Sequence, residues 1–348
     1  MTLDLIVAGA GPVGLSAAIA ARLRGLSVVV IDPHEGTIDK ACGEGLMPAT
    51  LDALSSIGVA RPHGVPFPQI RYIREGVVAT GTLPSPGLGV RRTTLHAAID
   101  ARAAEVGVVR EVGRVTKVEQ DADGVIVDGR HARWLIAADG MHSSIRRSLG
   151  LDAPAPGAQR YGLRQHFSVA PWSKSVDVYW GEDAEAYVTP VADDLVGVAL
   201  LFGDVARARI ADGKGPAFDR ILSAFPELRA HLSNPATLVR GVGPFQTRST
   251  RRVDGHVLLA GDAAGYIDAI TGEGTKVGIL AGIAAANAIA DGKPEVYEAQ
   301  WNALFRTYSM ATTGLLNLTG FGPTRRILPR FLRTFPRVFD AALGVLAA

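Results

Sequence analysis

Residues 4–32, DLIVAGAGPVGLSAAIAARLRGLSVVVID, decide the fold. An apolar run enters the turn GAGPVG, a small-residue segment leaves it, and a second apolar run ends on an acid, which predicts strand, tight turn, helix and strand. Gly9 permits the sharp bend, Gly11 lets a pyrophosphate approach the backbone, and Gly14 lets the helix pack closely on the sheet. With Pro12 these glycines form the candidate phosphate-binding set. The free N–H groups and positive dipole end of the helix face the phosphates, and Asp32 stands where a carboxylate accepts hydrogen bonds from an adenosine ribose. The stretch is organised for a dinucleotide.

Composition bounds the setting. The 348 residues, 47% of them hydrophobic, can bury a large core and divide into about two domains. A net charge of +2, with no basic run interleaved with aromatics, argues against a nucleic-acid partner. Cys42 is the single cysteine, which excludes an internal disulfide and points to a reducing, cytoplasmic setting. No secretory signal precedes the first strand, and the longest apolar stretch, VGILAGIAAANAIA, is short for a bilayer and reads as a buried helix. No metal site is expected.

Beyond Asp32, the loop DKACGEGLMP carries Gly43 and Gly45, whose bare backbone can lie against a flat ligand. PHGVPFPQIRYIREGVVATGTLPSPG, dense in Pro, Gly and β-formers, predicts short strands leaving the nucleotide domain. Arg91 and Arg92 open a helix with Leu95, Ile99 and Ala103 at helical spacing, where an arginine meets a pyrophosphate or an adenine, or simply stays solvated. Val115, Val118 and Val125, Val127 flank the hairpin turn DADG. The strand after it ends on Asp139 and Gly140, which are candidate cofactor-binding residues, before a helix start carrying Ser143, Arg146 and Arg147. YGLRQHFSVA, SVDVYWG, EAYVTPV and LVGVALLF predict an antiparallel sheet in a second domain, followed by a helical stretch around FDRILSAFPELRAHL.

A second nucleotide-type strand ends on Gly261 and Asp262. So late in the chain, it suits a long cofactor whose ribityl and isoalloxazine cross the sheet, and it separates FAD from NAD. Asp262 is placed for ribityl hydroxyls. The loop with Gly272, Glu273, Gly274 and Thr275 opens a helix whose positive end stabilises charge on a reduced flavin. There is no second GxGxxG, so NAD(P)H binds transiently in an open groove, or electrons come from a separate carrier. The tail TRRILPRFLRTFPRVFDAALGVLAA holds Ile327, Phe331, Phe335 and Phe339 at four-residue steps. It packs on the second domain, closes the substrate cavity, or makes a weak contact with a membrane surface.

GAGPVG, AADGMHSSIR and GDAAGYIDAITGEG, in this order, resemble the three fingerprints of the FAD-dependent superfamily of aromatic hydroxylases (p-hydroxybenzoate hydroxylase-like) and geranylgeranyl reductases, shared by flavin-dependent halogenases. The resemblance covers nearly the whole chain and implies FAD without specifying a substrate. DKACGEG is similar to the K-x-C-G-x-G segment of the reductases, and GDAAGYIDAITGEG to their G-D-A-A-G and T-G-E-G segments, which implies that Cys42 and Gly43 lie beside the flavin and the substrate. Two departures matter: Ala269 replaces the proline before T-G-E-G, and Y-x-W-x-F-P survives only as EAYVTP, with Tyr187 for the tryptophan and Thr189 for the phenylalanine. That erosion argues against a geranylgeranyl substrate. The halogenases' W-x-W-x-I-P segment is absent.

Reduced flavin delivers hydride from N5 to a polarised double bond, or reacts with O2 to form a C4a-hydroperoxide that hydroxylates or epoxidises an aromatic, polyketide or isoprenoid. The protein supplies position and a proton. The catalytic candidates are Cys42, Gly43, Glu44, His166 and Tyr187, with Glu273 also near the flavin; each also has a plain structural reading, a buried thiol, a core aromatic or a loop acid. The expected fold is α/β: a discontinuous Rossmann-like FAD-binding domain (1–65, 90–155 and 245–295), a β-sheet substrate domain (66–89 and 156–244) and a C-terminal helical region (296–348). Reduction of a hydrophobic small molecule stands slightly ahead of oxygenation, and a flavin carrier without turnover is the rival outside enzymes.

Overall fold

Apolar runs buried on both sides build the first sheet. The computed structural model describes residues 3–155, 157–320 and 322–347, so the expected boundaries at 1, 156 and 348 lie outside the described residues. Leu3–Ala8 pairs in parallel with Val28–Asp32 on one side and Arg130–Ala137 on the other, and Val109–Val112 and Val257–Leu259 extend the parallel array. Leu5, Ile6, Val7, Leu135, Ile136 and Val257 are wholly buried, as a parallel sheet covered on both faces requires. The hairpin at Asp121–Gly124 forms as the sequence predicts and hangs from the strand Arg130–Ala137.

The helix Pro12–Leu23 lies against the helix Gly274–Ala290. A Cβ at Gly282 would sit 2.7 Å from the Val13 carbonyl oxygen, and one at Gly278 would sit 2.7 Å from the Val13 side chain. The small residues of VGILAGIAAANAIA are therefore needed for this contact. It carries the late glycine turn to the first one, since a Cβ at Gly261 would also meet Val13, at 2.9 Å.

The second sheet runs Arg240–Val242, Arg160–Phe167, Leu195–Gly203, Ala184–Ala192, Ser175–Trp180, Val65–Arg74, Val77–Gly89 and Gly45–Leu46. It is antiparallel except where Ser175–Trp180 meets Val65–Arg74, and Gly45–Leu46 joins it from inside the 1–65 stretch. Alternation sorts its faces: Ala186, Val188, Val198 and Leu200 pack on Phe218, Ile221 and Phe225, while Tyr187, Thr189, Ala199 and Leu201 face a cavity. The strands expected to be short in 65–89 form one long hairpin through a Glu75–Gly76 turn in which both residues have positive φ. Pro66 and Pro68 precede the pairing with Ser175, which starts at Gln69; Pro66 is paired with Leu88 in the hairpin, whereas Pro68, Pro84 and Pro86 lie in its register shift, outside the paired positions. The single helical stretch expected near 218–232 is broken into Ala217–Leu222 and Pro226–His231, with Asp204–Asp212 before them, because Pro216 and Pro226 restart the chain.

The last helices are Val296–Gly320, Gly322–Thr334 and Pro336–Ala347. None of the helices described is long and apolar enough to cross a membrane. The four-residue spacing of the tail does not make one face: Phe339 is buried, whereas Ile327, Phe331 and Phe335 are exposed. Pro336 begins a new helix and resets the phase.

Candidate active site

The first glycine turn is held by its central peptide. Asp32 Oδ2 accepts the Ala10 N–H at 2.8 Å, and His96 Nε2 donates to the Ala10 carbonyl at 2.8 Å. Burial raises the Asp32 carboxyl pKa, but the N–H groups of Ala10 and His34 outweigh it and leave the group below its ordinary value. Gly9, at φ +104°, has no room for a side chain, since a Cβ would lie 2.3 Å from the Ala138 oxygen. Gly14 packs on the turn first, 1.9 Å from the Gly9 oxygen by the same measure, and on Val7 of the strand next. Gly11 is different: a Cβ there would meet nothing within 4 Å.

His96, which sequence reading passed over as part of a helix, is wholly buried, and desolvation holds its pKa below 6.5. A folded-state pKa below the unfolded one means that its contribution is complete above pH 6.5 and declines as pH falls through the folded value. Thermal unfolding of the apoprotein should therefore weaken on acidification below pH 6.5 more steeply than that of His96→Gln. Identical pH slopes would remove His96 from this role.

A single cavity runs from this turn to the second sheet. Pro12, Val13, Arg92, Asp262, Gly272, Gly274 and Thr275 line one end, and Ala41–Gly45 line its flank. This end fits FAD on several grounds. Gly43 and Gly272 leave open space where a Cβ would otherwise stand, as does Gly11 in the turn next to Pro12. The Asp262 carboxylate takes no hydrogen bond among the described residues, and desolvation raises its pKa against the pull of Arg92 and Lys40, so hydroxyl donors such as those of a ribityl chain would fit it. Arg92 Nε is buried without a partner and suits a pyrophosphate oxygen. The helix Gly274–Ala290 starts with no side-chain cap, leaving its N–H groups to a ligand.

The expected site residues separate into two groups. Cys42, Gly43, Glu44, Tyr187, Gly272, Gly274 and Thr275 line the cavity. Asp139, Gly140, Glu273 and His166 are outside its lining. Asp139 accepts the Ser144 N–H at 2.9 Å, with its other oxygen buried and unpartnered. Glu273 is turned to Lys276 at 2.5 Å, and desolvation raises its pKa. His166 is wholly enclosed behind Glu44: its Nε2 lies 2.6 Å from Glu44 Oε2, and its Nδ1 accepts from Arg164 Nη1 at 3.0 Å. It holds Glu44 rather than touching a ligand. Tyr187 donates its hydroxyl to the Ile270 carbonyl at 2.9 Å, and burial pushes its pKa well up, so it is a wall of the cavity with its proton committed.

Several positioning residues had no sequence signal of their own. Arg164 continues the Glu44–His166 chain to Asp39. Thr189, noted only as a departure from the family signature, donates to the Gly43 carbonyl at 2.7 Å. Arg146, seen as part of a helix start, is buried and donates to the Ala263 and Met141 carbonyls, tying the middle fingerprint to the Asp262 turn. Arg160, Glu185, Asp268 and Arg325 form a buried charge cluster that joins the sheet to the tail. Desolvation, with the charges of Arg160 and Arg74, lowers the Arg325 pKa to about 10.

The far end of the cavity is apolar. Phe67, Ile70, Val176 and Val178 come from the sheet, and Leu315, Leu343 and Leu346 from the tail. Tyr72 stands among them, its ring against Trp180 and Phe339. Its hydroxyl has no hydrogen-bond partner among the described residues, and desolvation raises its pKa to about 12.

The chain is similar to known flavoproteins. It is 27% identical to the menaquinone reductase of Mycolicibacterium smegmatis, over 95% of this chain and 86% of that one. It is 27% identical to digeranylgeranylglycerophospholipid reductase 2 of Methanosphaera stadtmanae, over 83% and 79%. To the rifampicin monooxygenase of Rhodococcus hoagii it is 28% identical, over 79% of this chain but 61% of that longer one. The flavin-dependent brominase Bmp2 has the same fold, with a TM-score of 0.77 at 20% identity over 100% and 94% of the two chains. A family model described as FAD binding domain matches residues 2–309, and so the chain, with both glycine turns converging on one cavity, belongs to that family of FAD-dependent oxidoreductases.

Proposed function

We propose that this oxidoreductase adds two hydrogens across a carbon–carbon double bond of a largely hydrocarbon molecule that carries a polar group. The observation behind this reading is the two-ended cavity: flavin-compatible backbone and charge at one end, and an apolar chamber with one unpartnered phenol, Tyr72, at the other. FAD when bound supplies hydride. The chain's own residues hold the substrate, exclude water and supply the proton. Cys42 lines the cavity, and its Sγ accepts the Glu44 N–H at 3.4 Å, which steers the thiol. In this reading Cys42 would give its proton to the alkene carbon that does not receive the hydride FAD would supply, and its thiolate would recover a proton from water. Tyr72 bonds the polar group, and NAD(P)H is the transient donor that reduces the flavin. The reductase-named relatives matched over most of their own length support reduction rather than oxygenation.

The deciding experiment is turnover under nitrogen with NAD(P)H and a panel of polyprenyl alcohols and quinones. A product two mass units heavier, formed without O2, is expected. Cys42→Ala should keep its FAD and lose turnover by roughly 10²-fold or more. A product gaining oxygen in step with O2 uptake would establish oxygenation instead. A flavin that no nucleotide bleaches would rule out NAD(P)H as donor.

A further inference from the structure

We propose that the outer face of the last two helices docks on an anionic lipid surface. Arg325, Pro329 and Leu332 turn inward from the helix Gly322–Thr334, and Ile327 and Phe331 stand on its opposite side at 58% and 44% exposure. Phe335, 52% exposed, packs at a tilt against Phe331 with ring centroids 5.1 Å apart, and Val338 continues the strip, 48% exposed. A large apolar strip left in water marks an interaction surface.

The charge beside the strip selects the partner. Arg326, Arg330, Arg333 and Arg337 are all exposed around it. Arg326 pairs with Glu182, and the other three form no ion pair among the described residues. Asp340, the one acid in this segment, is occupied by the Thr82 N–H at 2.7 Å. Aromatic and aliphatic side chains flanked by unpaired arginines are the composition of a helix lying in a membrane interface, apolar groups among the acyl chains and guanidinium groups at the phosphates. The inner side of the same helices supplies Leu343 and Leu346 to the cavity, so the docked face and the apolar chamber share one wall. The inference rests on this surface and not on the proposed reaction.

Sedimentation of the FAD-loaded protein with vesicles tests it. Vesicles of equal parts phosphatidylcholine and phosphatidylglycerol should carry the protein down, pure phosphatidylcholine should carry much less, and added salt should release it. Phe331→Ser with Phe335→Ser should abolish sedimentation, and each of Arg330→Gln, Arg333→Gln and Arg337→Gln should lower the partition coefficient about fivefold. All these positions are exposed, so unchanged flavin spectra and melting temperatures will show that the variants remain folded. Failure to bind the anionic vesicles, or binding untouched by the variants, would overturn the proposal. So would a concentration-dependent dimer that the Phe variants dissolve, because a second copy would then be the occupant.

Discussion

Gly11→Val should fold as the wild type does and bind FAD at least about 100-fold more weakly, whereas Gly14→Ala should lose the fold itself. The two glycines are three residues apart in one motif, yet their surroundings are opposite. At Gly11 the backbone is in an extended conformation that any residue adopts, φ −67° and ψ 173°, and an added Cβ touches nothing within 4 Å. The empty space is the argument: a valine there obstructs only a ligand. Keeping a pyrophosphate off the helix N-terminus costs two charge-assisted N–H bonds of about 1.5 kcal/mol each, and about 3 kcal/mol is about 100-fold in affinity. At Gly14 the Cβ would lie 1.9 Å from the Gly9 oxygen, a backbone atom that cannot swing aside. Relief requires the helix and the turn to separate, at about 3 kcal/mol or more. Flavin fluorescence titration and thermal unfolding without FAD separate the two effects. A Gly11→Val protein that binds FAD normally would show that the cofactor does not cross this turn.

What the sequence could disclose follows the same division. A glycine requirement is local, so Gly9, Gly11 and Gly14 could be read from one short stretch, and the second turn at Gly261–Asp262 from another. Their convergence on one cavity follows from both turns ending strands of one parallel sheet. The residues that hold these turns were not legible. His96 grips Ala10 from 86 residues away, and Arg146 grips the Ala263 carbonyl from 117 away. Neither spacing has a period, and each residue sits on a helix where an ordinary surface reading was available. His166 shows the opposite error. It stands on a strand beside the cavity, but alternation turns its ring to Glu44, and strand direction alone does not say which neighbour lies behind. In the tail the four-residue step was real, and Pro336 changed its meaning by restarting the helix between Phe335 and Phe339.

Glu44→Ala should cost about 3 kcal/mol of stability and weaken FAD binding at the same time, because Glu44, a catalytic candidate on its sequence, also ties the loop in place. Its backbone has φ 60°, a conformation that side chains with a Cβ occupy at a cost. Two partners hold it there: Oε1 accepts the Arg92 N–H at 2.8 Å, and Oε2 accepts from His166. Gly197 leaves room for the carboxylate, since a Cβ there would lie 2.8 Å from Oε2. Removing the carboxylate strands two buried donors at about 1–3 kcal/mol each, less the relief from a shorter side chain.

Glu44→Gln should rescue only half. Arg164 can only donate, so His166 Nδ1 must accept and its Nε2 must carry the hydrogen. Both groups facing position 44 are therefore donors, and a glutamine offers one of them an oxygen and the other an NH2 group. Whichever way the amide turns, a donor faces a donor. Because the Glu44 N–H also meets Cys42 Sγ and Thr189 holds the Gly43 carbonyl, the cavity-lining loop shifts with it and the flavin site loosens. A double-mutant cycle with His166→Ala should give a coupling energy of about 1–3 kcal/mol. Additivity, or a glutamine variant as stable as the wild type, would mean that the carboxylate does not bridge the nucleotide helix and the substrate sheet.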